Sequence, residues 1–108
     1  MAKLEKTLTG DFDELLSRIE QGVMKSSFSA SIEDKSDFTS GKARVAVRVF
    51  ERYSALGQNR VSLNITLFMG EDGVIHLSAV TSGGSQAIFF KFNTFGEKAF
   101  LSELEKIL

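Results

Sequence analysis

Residues 61 to 69, VSLNITLFM, place an apolar side chain at every second position, and residues 75 to 79, IHLSA, do the same after Gly70-Glu71-Asp72-Gly73. A period of two puts Val61, Leu63, Ile65, Leu67 and Met69 on one face of an extended chain. Asp-Gly tolerates the positive φ that tight hairpin turns require. The stretch therefore predicts an antiparallel hairpin whose inner face continues through Ile75, Leu77 and Ala79. Its other face carries Arg60, Ser62, Asn64, Thr66, His76 and Ser78, with Phe68 as an apolar exception. A sheet with one apolar face needs a cover, which asks for amphipathic helices elsewhere in the chain.

Two segments answer. Phe12, Leu15, Leu16, Ile19 and Val23 follow helical spacing, behind Asp11 as N-cap with Glu14 three residues on. The pattern predicts a helix over about residues 11 to 21, ended by Gly22 as a left-handed cap. Near the C-terminus, Thr94 and Glu97 form a capping box ahead of the stripe Phe100, Leu101, Leu104, Ile107 and Leu108. Leu4 and Leu8 suggest a short opening strand. Phe28, Ala30 and Ile32 alternate with serines 27, 29 and 31, and DKSDFTSG then reads as a loop. After a further strand, ALGQN and SGGS read as turns, and Ile88, Phe90 and Phe92 face inward from a last strand. The fold class is α+β: a curved antiparallel meander with an N-terminal and a C-terminal helix packed on one face, in the order β-α-β(4–5)-α. Its 108 residues suit a single domain, 1–108.

The further strand is KARVAVRVFERYS, where Val45, Val47 and Val49 alternate with Arg44, Arg48 and Arg52. If the valines, with Ala43 and Tyr53, face the helices, the arginines face the other way with Phe50 between them. The open face then collects Arg44, Arg48, Phe50, Arg52, Arg60, Phe68, His76, Phe89 and Lys91. Residues 42 to 60 hold five Lys or Arg and a single acid, Glu51, whereas Asp13, Glu14, Glu20, Glu103 and Glu105 crowd the helices. A chain of net charge −1 is thus expected to be polarised, acidic helices on one side and a basic sheet on the other. Long cationic side chains on such a face keep it soluble and cover apolar atoms with their stems. Alternatively, arginines bind an anion or nucleic-acid phosphates and the phenyl rings stack on bases. Exposed phenylalanines also suit burial by a second subunit.

Catalytic signatures are weak. TSGGSQA has the glycines of a phosphate loop but feeds an apolar run rather than a helix, so it reads as a turn. SGK at 40 to 42 lacks the earlier glycine and the following Ser or Thr of a nucleotide loop. His76 is the one histidine, and the chain has no cysteine, which excludes disulfides and thiolate metal sites. No metal, no cofactor and no catalytic residue are expected. No run is apolar for the length of a membrane helix, and MAKLEKTLTG lacks the apolar core of a signal peptide, so the expectation is a cytoplasmic protein with no membrane partner.

The order of elements is similar to the helix-grip and TATA-box-binding-protein-like group, whose members include lipid carriers, nucleic-acid binders and enzymes. At closer range RVAVRVFERYS, NRVSL, TSGGSQA and FGEKAF resemble a family of small uncharacterised bacterial proteins, chiefly from Gram-positive species. That resemblance implies a stand-alone cytoplasmic protein of unknown function and supplies no catalytic residues.

The functional expectation is a non-enzymatic binding or self-associating module that works through its open sheet face, as a homo-oligomer. The alternatives are an anion or nucleic-acid binder using the arginines and phenylalanines, and a small-molecule carrier or enzyme with a cavity between sheet and C-terminal helix.

Overall fold

The computed structural model describes residues 2–54, 59–83, 101 and 104–108. Strand β1 (Ala2–Leu8) leads to helix α1 (Phe12–Lys25), and four strands follow: β2 (Ser31–Ser40), β3 (Ala43–Ser54), β4 (Asn59–Met69) and β5 (Ile75–Gly83). They form one antiparallel five-stranded sheet in the order β1-β5-β4-β3-β2. The opening segment joins the sheet at one edge, against β5. The chain then crosses with α1 and re-enters at the opposite edge as β2. Residues 101 and 104–107 are helical, so the fold is α+β with an open sheet and two helices, as expected.

Local chemistry explains most boundaries. The Asp11 carboxylate accepts a 2.9 Å hydrogen bond from the Glu14 amide and caps α1. The helix runs one turn further than expected, to Lys25, and Ser26 closes it by donating its hydroxyl to the Val23 carbonyl. Gly22 is therefore inside the helix rather than its cap. Its lack of a side chain makes room for Ile107: a Cβ built there would fall 2.5 Å from Ile107 Cδ1. The β4–β5 hairpin turns at 70–73 as the sequence indicates, with Gly73 at φ 79° and its amide bonded to the Gly70 carbonyl.

One face of the sheet meets α1 and the C-terminal helical residues. Phe12, Leu15, Leu16, Ile19 and Val23 of α1 pack with Leu63, Ile65 and Leu67 of β4, Ile75, Leu77 and Ala79 of β5, and Leu101 and Leu104. The core face of β4 and β5 is thus the one expected. Four other expectations fail. Residues 34–40, read as a loop, extend β2, because a charged edge strand can leave one side of its backbone in water. Phe28 and Ala30 precede that strand, and Phe28 is fully exposed. Ser82 and Gly83 continue β5 rather than turning the chain.

The fourth failure concerns β3. Phe50 pairs with Leu63 and Ala46 with Leu67, so the even-numbered residues of β3 look toward the helices. Phe50 is 0% exposed, Ala46 1% and Arg48 6%. Arg44 and Arg52 share that face through their partners Met69 and Val61. Val45, Val47 and Val49 pair with Phe68, Thr66 and Asn64 and look outward, and exposed Tyr53 pairs with Arg60. The valines and arginines are exchanged relative to the sequence reading. Burying a phenyl ring removes more apolar surface from water than burying a valine, and the margin of the sheet beneath α1 offers carboxylates to long cations.

The candidate binding face

The orientation of β3 settles where charge sits. Asp13 and Glu20, two turns apart on one flank of α1, overhang the arginine row. Arg44 makes a two-pronged pair with Asp13, Nη2 to Oδ1 at 2.7 Å and Nη1 to Oδ2 at 3.0 Å, and its guanidinium lies 4.3 Å from the centre of the Phe12 ring. The hydrogen bonds from Arg44 hold the Asp13 carboxyl below the usual aspartate range, and the same bonds raise Arg44. Arg48 Nε donates to Glu20 Oε2 at 2.6 Å, and its Nη1 lies 3.1 Å from Asp37 Oδ1 and donates to the Val47 carbonyl at 2.9 Å. Burial opposes the charge on Arg48, but the bonds to Glu20 and Asp37 more than offset it and keep its pKa above the ordinary value.

The predicted polarity is therefore corrected. Arg44, Arg48 and Phe50 belong to the helix-facing side: the two arginines tie α1 to the sheet, and Phe50 fills the core. By register Arg52 lies on that side too. Of the expected face residues, Arg60, Phe68 and His76 do occupy the open side, while Phe89 and Lys91 lie outside the described residues. Arg60 is engaged by acids: it bonds Glu51 Oε1 at 2.7 Å, lies 3.5 Å from Glu33 Oε2 and sits 5.8 Å from the centre of the Tyr53 ring.

With Arg44 and Arg48 on the helix side, the open face beyond the Arg60–Glu51 pair is a grid of small, hydroxylic and apolar side chains. One row across all five strands is Lys3, Val80, Asn64, Val49 and Asp34; the next is Glu5, Ser78, Thr66, Val47 and Ser36; the third is Thr7, His76, Phe68, Val45 and Phe38. Charge stands only at the edge strands of the first two rows, and the interior of each row holds no Asp, Glu, Lys or Arg. Phe38 and Phe68 are 68% and 41% exposed, and the three valines are partly exposed. Phe68 stacks against His76 with centroids 6.1 Å apart, and Thr7 Oγ1 lies 3.5 Å from His76 Nδ1. Glu5, Thr66, Phe68, His76 and Ser78 line a shallow recess of about 360 Å³ there. Phe38 and the valines were missed in the sequence, the first because its strand read as a loop, the others because their parity was inverted.

Comparison with known proteins adds one relation. The model described as "Family of unknown function (DUF6054)" matches residues 1–108. The chain belongs to this family. No curated protein and no solved structure matches it. Family membership supports the expectation of an uncharacterised family and assigns no activity. Among the described residues, no helix is long and apolar enough to cross a membrane, and no group of three or more His, Asp or Glu is arranged to hold a metal.

Proposed function

We propose that this protein is a non-enzymatic binding module whose working surface is the open face of the sheet, docking there on an apolar protein surface in the cytoplasm. The observation that carries this reading is the belt formed by Phe38, Val45, Phe68, Val47 and Val49, which lies across neighbouring strands with no charge inside it. Single exposed apolar residues are ordinary on protein surfaces; a contiguous belt on a sheet is the mark of an interaction site. Serine, threonine and asparagine between the apolar residues give hydrogen-bonding capacity without desolvating charge, and interface centres are depleted in charged residues and enriched in phenylalanine. The anion and nucleic-acid reading loses its basis, because Arg44 and Arg48 are neutralised by helix and edge-strand acids on the other side of the sheet.

A photo-crosslinking amino acid placed at Val47 tests the reading in living cells, with the same group at Ser17 on α1 as control. A discrete adduct of defined mass from position 47 and none from position 17 is expected. Equal adducts from both positions, or none from 47, would refute it.

A further inference from the structure

Resting on that reading, we infer that the occupant of the open face is a second copy of this chain, related by a two-fold axis running along β4. β4 is the middle strand of five, so such an axis lays β4 on its own copy, β5 on β3 and β1 on β2. Rotation about an axis parallel to the strands preserves position along them, so each cross-strand row meets itself end for end. In the row Lys3–Val80–Asn64–Val49–Asp34, the ammonium at one end meets the carboxylate at the other, twice per dimer. Val80 meets Val49, and the two Asn64 side chains meet at the axis, where an amide is both donor and acceptor. In the row below, Glu5 meets the hydroxyl of Ser36; in the third, Phe68 meets Phe68 and Phe38 meets Thr7. None of these three rows brings like charges together, and where Arg60 of β4 meets its own copy at one end of the axis, each guanidinium is already paired with Glu51 and Glu33 of its own chain.

The competing in-plane axis, perpendicular to the strands, sets β1 on β1 and β2 on β2. It leaves Lys3 without Asp34, so the pairing of these opposite edge charges, twice per dimer, is what favours the first arrangement. It is isologous, and the two sheets pack as aligned sheets do, about 10 Å apart. The area is adequate as well. Five strands about 4.8 Å apart and roughly 30 Å long present ~700 Å² of face, close to the roughly 800 Å² per partner of a stable complex. Among the described residues Lys3 pairs with neighbouring Glu5 at 3.7 Å, and both side chains are more than half exposed, so the ammonium is within reach of a partner.

Sedimentation velocity of the full chain over a concentration series provides the test, with Lys3→Glu, Asp34→Lys and the double variant compared with wild type. Both positions are on exposed edge strands, and unchanged circular dichroism confirms that each variant folds. A reversible dimer is expected for wild type. Each single change sets like charges together at both ends of the row and weakens association about tenfold or more, and the double change restores it to within about threefold. A monomeric wild type, singles equal to wild type, or a double no better than the singles would overturn the inference. The crosslink at Val47 separates the two levels: an adduct to a different protein with a monomeric wild type retains the face and removes the second copy.

Discussion

Glu20→Ala is the most informative change on the helix side. The side chain of Arg48 is 7% exposed and that of Glu20 24%. Removing one partner of a fully buried pair costs about 3–5 kcal/mol, and a hydrogen bond to a charged group contributes about 1.5–3 kcal/mol. Here the loss is smaller. Asp37, 60% exposed, still reaches Arg48, and the Val47 carbonyl accepts from it at 2.9 Å. Water can also enter where Glu20 stood. We expect a loss of about 1–2 kcal/mol, which at an m-value of about 1.5 kcal/mol/M moves a urea midpoint down by roughly 1 M at pH 7. Adding Arg48→Met removes the stranded charge, keeps an apolar stem of similar volume against Phe50 and Ile65, and recovers most of the loss. Protein concentration must be held constant, because self-association adds to apparent stability. A Glu20→Ala variant within about 0.5 kcal/mol of wild type, the range of ordinary surface changes, would refute the inward placement of Arg48. So would additive effects in the double variant.

Two further outcomes follow from the same contacts. The folded-state pKa of Asp13 is depressed by Arg44, so its contribution to stability is present above the unfolded aspartate pKa, about 3.9, and is lost as pH falls below it. Asp13→Asn should therefore flatten the acid limb of a stability–pH curve below about pH 4, and an unchanged limb would count against the Arg44 pair. Gly22→Ala gains about 0.5–1 kcal/mol of helix propensity but pushes on Ile107, so alone it should be nearly neutral, and in an Ile107→Ala background the gain should appear in the thermal midpoint. An equal effect in both backgrounds would dissociate Gly22 from that contact.

The sequence reveals the elements whose signal has one source. Leu63, Ile65 and Leu67 alternate with nothing but polar or exposed neighbours, Asp72-Gly73 permits one kind of turn, and Asp11 caps through its own carboxylate; each is local chemistry. β3 is different. Its apolar residues fall on both parities, Val45, Val47 and Val49 on one and Ala46 and Phe50 on the other, so period two does not choose. The choice is made by tertiary contacts: Phe50 against Leu63, and acids of α1 waiting for Arg44 and Arg48. Assigning arginine to solvent by default is what inverted the strand. A count of carboxylates on the sheet-facing flank of α1, Asp13 and Glu20 two turns apart, was the available signal that cations had a destination there. β2 was missed for a related reason, since an edge strand carrying Asp34, Lys35 and Asp37 has the composition of a loop.

The central claim is that the valine row of β3 is the accessible and functional side of this sheet. The chain contains no cysteine, so single-cysteine variants report one position each. Maleimide labelling of Ala46→Cys and Val47→Cys in the native chain, from dilute to concentrated solution, reads orientation and association together. Position 47 should label fast when dilute and become protected as concentration rises, while position 46 stays unreactive throughout. Fast labelling at 46 with protection at 47 in dilute solution would contradict the register, and concentration-independent labelling at 47 would contradict self-association.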